Sequence, residues 1–421
     1  MNETKKNILL GMIIGDAIGS GFDGLGRGHI RSHFKEIGGY PDPAPALKGR
    51  MERWRKPGFY SSISQFGLLV AACPQGTAVA ESFTEYIVRC PEVKESESGV
   101  FRHPDGVEKN LIARIKNPGR QIAIPEQPSV RVISSSIPLS LRDNSFFEQI
   151  IDAISYVRLF TRDVSTLSGA LSITSLLRYL MEDRPPSTNY SEACLESNGL
   201  LIEEISANPG ALFNSGINPG ALEAGLKELN DILSPVANIK DETEAEAVIC
   251  ARMNNRLKTP ITRASVNIPH ALIPYALVLS AIHGDDPSAL YQAAMKGGSA
   301  AALTALCGSL RACVFGTTAI PEILVQNLAN RKKVTAIVNS LKDGAISAPA
   351  IEDFLRTEAS LTGKEGEELR AKQRHNRKKP KHDMPRPDRE SKLSKYAVES
   401  WTKIDKARWR KEKKKMDKNI P

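Results

Sequence analysis

The chain has 421 residues, 41% of them hydrophobic and 25% charged, with a formal net charge of +9. That length can bury a sizeable core, as one large domain or two smaller ones, and the composition is that of a soluble globular protein. No apolar run reaches the roughly 20 residues that span a bilayer and the first residues lack a small-residue cleavage site, so a cytoplasmic protein with no membrane partner is expected. The six cysteines (Cys73, Cys90, Cys194, Cys250, Cys307, Cys313) form no Cys-x-x-Cys pair; buried reduced thiols are expected rather than a zinc site.

Asn7 to Ile18 is rich in Ile, Leu and Met, with Gly11, Gly15 and Gly19 at every fourth residue along one helix face. An interior glycine costs a helix about 1 kcal/mol relative to alanine, so this face should lie against something that needs close approach. Tight helix packing is favoured, with a ligand-facing role as the alternative. Gly24 to Pro57 is punctuated by glycine and proline and carries a basic run from Lys48 to Lys56, which predicts a loop over the body. His29 and His33 find no carboxylate or cysteine spaced to complete a metal site. Ser61 and Ser62 suit a helix start, where their hydroxyls cap free N–H groups. Glu92 to Pro128 is polar and proline-interrupted, with a helical turn or two at Leu111 to Ile115. Ser134-Ser135-Ser136 reads as a serine-rich loop, or as hydroxyls able to bond a polar ligand. Phe146 to Phe160 and Val164 to Met181, joined at Thr161-Arg162-Asp163, show the spacing of packed amphipathic helices, and Arg162 could contact a phosphate.

Glu182 to Pro260 is the least informative stretch. Asn208-Pro-Gly-Ala-Leu212 and Asn218-Pro-Gly-Ala-Leu222 read as two helix starts rather than a repeat architecture; Ala221 to Leu233 and Asp241 to Arg256 follow as surface helices. Ile268 to His283 is apolar almost all round, the pattern of a helix inside the protein. Asp286 is placed as N-cap, with Pro287 at the first position of a short helix ending at Lys296. Gly297-Gly298 breaks the chain, and Ser299 is placed to cap an Ala-rich helix, Ala300 to Phe315. Glu322 to Leu341 and Pro349 to Leu361 close the body. From Gly363 onward, 21 Lys and Arg face 10 Asp and Glu, so the tail carries the whole positive balance. Arg370 to Pro387 has the composition of a disordered segment, and Tyr396 to Lys418 interleaves Trp401 and Trp409 with basic residues. Arg377, Lys378, Lys379, Lys381, Arg408 and Arg410 are candidates for contacting nucleic acid or an acidic protein; a solvated tail with weak, non-specific affinity is the plainer reading. The expected domains are a helical body, 1–362, and a basic, largely disordered tail, 363–421.

The order helix, Gly284-Asp285-Asp286-Pro287, helix, Gly297-Gly298, Ala-rich helix, Gly316-x-x-Ala319-Ile320-Pro321 resembles the C-terminal core of the ADP-ribosylglycohydrolase family (dinitrogenase reductase-activating glycohydrolase-like). Gly15-Asp16-Ala17-Ile18-Gly19 is similar to that family's opening motif. Over roughly residues 5 to 325, the resemblance implies an all-α fold, a compact orthogonal bundle of helices. In the family, two acidic motifs supply ligands to a pair of magnesium ions. Here Ser61-Ser62-Ile63-Ser64 stands before Gln65 where Thr-Asp-Asp-Thr belongs, and Ser299-Ala300-Ala301-Ala302 stands for Asp-Thr-Asp-Thr. Magnesium demands hard oxygen ligands, usually including carboxylates, so no metal ligand and no cofactor is expected. Asp23 stands where the family has a glutamate near the scissile bond and is the one catalytic candidate. The resemblance implies that Asp16, Ser61, Ser62, Gln65, Gly297, Gly298 and Ser299 bind the ligand, an ADP-ribose-like molecule or other nucleotide. Serines also replace the family's glycine, methionine and arginine around Ser134, and Arg162 replaces its histidine. The expectation is a degenerate member without magnesium-dependent hydrolysis. Two alternatives stand beside it: a metal-independent glycoside or N-glycosyl hydrolase using Asp23 with Asp16 or another carboxylate, and an interaction protein acting through its basic tail.

Overall fold

In the computed structural model the described residues are 2–378, except 36, 48–49, 95, 183–188, 215 and 342–347. They form eighteen α-helices and five short 3-10 turns, with no strand among them. The helices are α1 (Asn2–Ser20), α2 (Arg27–His33), α3 (Ser62–Ala71), α4 (Val79–Arg89), α5 (Gly106–Lys116), α6 (Val130–Ser135), α7 (Phe146–Phe160), α8 (Val164–Met181) and α9 (Tyr190–Ala207). They continue as α10 (Pro209–Asn214), α11 (Pro219–Leu233), α12 (Glu242–Asn254), α13 (Pro269–Ile282), α14 (Ala289–Ala294), α15 (Ala300–Phe315), α16 (Glu322–Gln326), α17 (Arg331–Ser340) and α18 (Ala348–Lys378). Residues up to Lys372 make one compact unit. The tail candidates Lys379, Lys381, Arg408 and Arg410 lie outside the described residues, as do the side chains of Arg377 and Lys378.

Local sequence sets most helix starts. Asp105 and Glu108 close a capping box on α5, Ser145 and Glu148 do so on α7, and Asp163 caps α8 by accepting from Thr166 N. Asn218 accepts from Gly220 and Ala221 N, so the second Asn-Pro-Gly segment does open a helix. Asp286 does not cap α14 directly: it accepts from Ser288 N and Oγ, and α14 begins one residue beyond that serine. Other boundaries also differ from the sequence pattern. The closing segment Glu322 to Leu341 is two helices, parted at Asn330, which adopts φ 57°. The 24–57 loop contributes Leu47, Met51 and Trp54 to the core rather than lying wholly over it. Ser134, Ser135 and Ser136 end a buried helix, and each hydroxyl donates to a carbonyl of its own segment.

The core is organised around α1 and α15. A Cβ on Gly15 would lie 2.0 Å from Thr304 O, one on Gly11 2.2 Å from Gly308 O, and one on Gly308 2.1 Å from Gly11 O. The two backbones are therefore in direct contact along the glycine face, which settles that face as packing rather than ligand binding. Ala300–Ala319, containing α15, is long and apolar enough to cross a bilayer, beyond what the sequence pattern suggested. Most of it is buried inside the body, where its apolarity serves α1, α13 and α14. Phe66, Phe83, Phe101, Tyr156 and Phe160 fill the space between α3, α4 and α7 with edge-on and tilted rings 4.5–5.9 Å apart.

The body does not end at residue 362. Helix α18 runs through Gly363, with Glu358, Thr362 and Glu365 all buried. Glu358 pairs with Arg102 at 2.6 Å, both side chains fully buried, and also accepts from Tyr60 Oη, Gln65 Nε2 and Asn330 Nδ2. A buried ion pair needs such satisfaction of its remaining lone pairs to offset its desolvation.

Candidate functional site

The turn after α1 brings Asp23 to the N-terminus of α15. Two glycines fix that approach. Gly297 and Gly298 adopt φ 64° and 67°, in the left-handed region that glycine enters without strain. Gly298 N donates to Leu25 O at 2.9 Å, while Gly24 N donates to Gly298 O at 2.6 Å. A Cβ would lie 2.3 Å from Leu25 O at Gly297 and 1.9 Å from Ser265 O at Gly298. These glycines clip the Asp23 turn to the helix start. Ser299 N donates to Ser265 O, and its side chain makes no cap bond to α15. Asp23 Oδ1 accepts instead from Ala301 N at 3.3 Å, a favourable place for an anion.

Facing Asp23 is Arg131, on α6, with its side chain only 8% exposed. Its guanidinium donates from Nη1 to Asp23 Oδ2 at 3.3 Å and from Nε to Glu108 Oε2 at 2.9 Å. Its Nη2 donates to Ser61 Oγ at 2.9 Å, Ser62 Oγ at 2.8 Å and His103 O at 3.2 Å. Burial alone would lower its pKa, but Glu108, Asp23, Asp105 and Asp16 outweigh it and raise it. Glu108 is fully buried, and burial pushes it up to about 7 against the opposing charge of Arg131. Its Oε2 also accepts from Ser62 Oγ and Asp105 N, while Oε1 is buried with no hydrogen-bond partner.

The remaining candidate residues have structural partners. Asp16 is wholly buried, and its carboxylate accepts from Ser61 N and Oγ and Ser64 N and Oγ at 2.7–3.0 Å. It holds the start of α3. Burial raises its pKa, opposed by Arg131 and by those serine hydrogen bonds. Gln65 donates to Val100 O and Glu358 and accepts from Arg102 N, so it belongs to the buried α18 network rather than to an open cleft. Ser61 and Ser62 point at Arg131, within the cluster. Thus Asp23, Ser61 and Ser62 come together through Arg131, and Asp16 supports them from behind. Arg162 lies elsewhere, beside a cavity of about 210 Å³ between α8 and α11.

The two turns that the resemblance assigns to magnesium carry few of the ligands it needs. Ile63 is buried in the core, and Ala300, Ala301 and Ala302 are buried methyl groups. At these turns hard oxygens of Asp23, Glu108, Ser61, Ser62 and His103 O do converge, and the guanidinium of Arg131 holds all five. Among the described residues no group of three or more His, Cys, Asp and Glu side chains could hold a metal ion. The residues present do not fit a pair of magnesium ions.

Arg131 and Glu108 were not legible as site residues. Asp105-Gly-Val-Glu108 carries a visible capping-box pattern, but it announces a helix start and gives no sign that Glu108 turns toward residue 131.

Comparison with known proteins agrees with this architecture. The family model described as ADP-ribosylglycohydrolase matches residues 5–350. A solved structure described as an "ADP-ribosylglycohydrolase-related protein complex" superposes with a TM-score of 0.53 and 17% sequence identity, covering 82% of this chain and 99% of that one. At that identity the likeness speaks for the fold alone. No curated protein matches in sequence. With an all-helical body and a family match across most of its length, the chain belongs to the ADP-ribosylglycohydrolase family.

Proposed function

We propose that this protein has the family's fold without its magnesium-dependent hydrolysis, and that it binds an ADP-ribose-like or other nucleotide ligand beside Asp23. The observation that carries the reading is the state of the Asp23 carboxylate. It lies 30% exposed beside the start of α15, where Arg131 and Ala301 N engage it, and the other carboxylate on that guanidinium, Glu108, is closed off from solvent. Asp16, one partner that metal-free acid–base catalysis could use, is walled into the core and spends its lone pairs on α3. A ligand hydroxyl can still donate to Asp23 from the exposed side, which favours retention of binding over turnover.

The test is calorimetric titration of the full chain with ADP-ribose, with magnesium and with a chelator, beside a release assay on an ADP-ribosylated protein. We expect the same binding under both conditions and no release. Magnesium-dependent release would overturn the proposal, and absence of binding under both conditions would remove its ligand half.

A further inference from the structure

The five oxygens around Arg131 are the kind that bind hard cations: two carboxylates, two hydroxyls and a backbone carbonyl. They come from the α1–α2 turn, the start of α3, the turn before α5 and α5 itself, segments that share no local sequence reason to converge. What they share is a positive charge at their centre. Glu108 is the clearest sign. Its side chain is fully buried, and three donors crowd onto Oε2 while Oε1 has none. A carboxylate buried in this way destabilises the fold unless a cation compensates it. His103 is a second sign: it adopts φ 53°, in the left-handed region that strains a non-glycine residue, and this turn aims its carbonyl at the guanidinium.

We infer that Arg131 is the resident cation of this site: a tethered guanidinium fills an oxygen cage that would otherwise accept a divalent ion, and excludes that ion from it. The inference rests on the metal-independent part of the proposed function. Its test reads ion binding and not nucleotide binding, so that either can fail alone. Removing the side chain should turn the cage into a cation site. Calcium should enter it more readily than magnesium, because oxygens placed around a planar guanidinium suit a larger and more adaptable coordination shell better than a strict octahedron.

The experiment is thermal melting of the full chain in chelator and in rising calcium, manganese or magnesium. It compares the wild type with Arg131→Ala, Arg131→Lys, Asp23→Asn and the double variant Arg131→Ala/Asp23→Asn. The wild type and Arg131→Lys should be insensitive to all three ions. Arg131→Ala should melt lower in chelator and regain stability with the logarithm of ion concentration, and the double variant should lose most of that recovery. The inference fails if the wild type gains stability from the ions and Asp23→Asn abolishes the gain. It fails equally if Arg131→Ala, folded or not in chelator, is recovered by none of them.

Discussion

His103 touches two neighbouring polar clusters. Its carbonyl accepts from Arg131, and its Nε2 lies 3.0 Å from Glu365 on α18. Burial pushes the imidazole from 6.5 down to about 4, although Glu365 pulls the other way. Glu365, which burial would raise, is held down to about 2 by His103, Arg102 and the Lys56 N–H. An unfolded chain therefore takes up a proton on His103 near pH 6.5 that the folded chain refuses until about pH 4. The stability tied to this group is complete above pH 6.5 and drains away as the pH falls to 4, at up to roughly 1.4 kcal/mol per unit. Glu365 acts in a lower window, losing its contribution between pH 4.5 and 2. Urea unfolding of His103→Gln should show a variant less stable than the wild type by about 1 kcal/mol at pH 7, with the gap closing or reversing as the pH falls to 4. A constant gap would show that His103 does not titrate in this way.

Helix pairs in this fold are set by how closely backbones approach, and two glycines make opposite predictions. Gly15 faces α15 with no room for a methyl group, so Gly15→Ala should destabilise by at least about 3 kcal/mol through displacement of α1. Gly199, inside α9, has nothing within 4 Å of an added Cβ. Gly199→Ala should stabilise by about 0.5 to 1 kcal/mol through helix propensity and a less flexible unfolded chain. Thermal melts of the two variants check both signs. The same contrast marks what the sequence could convey. Periodicity and caps exposed α7, α8, α11 and α13 nearly to the residue, because those signals are local. Gln65 sits in a helix that was legible, but its partner Glu358 is 293 residues away, and nothing near Gln65 announces it. Arg131 was equally hidden, since the serines and carboxylates that it binds come from three other segments.

At the scale of the whole molecule, the family match ends at residue 350, whereas the compact unit extends to Lys372. The difference is most of α18, whose Glu358 satisfies the buried Arg102 and whose Glu365 binds His103 and the Lys56 N–H. Composition alone placed the boundary at Gly363, because basic and acidic residues alternate from there and mask the buried Glu365. Truncation after residue 378 should leave the melting temperature within a degree or two, whereas truncation after residue 362 should lower it by several degrees. Equal melting temperatures would show that the last turns of α18 add nothing to the body.

The close seam between α1 and α15 also bears on how the chain is made. Helix α1 leaves the ribosome well before α15, and the surface that its glycines need lies almost 300 residues later. At roughly 5 to 20 residues per second, the nascent chain waits on the order of 15 to 60 s with an apolar helix that has no seat. For that interval α1 is a natural client for a holding chaperone, and a circular permutant starting near residue 288, which would synthesise α15 before α1, should depend less on one.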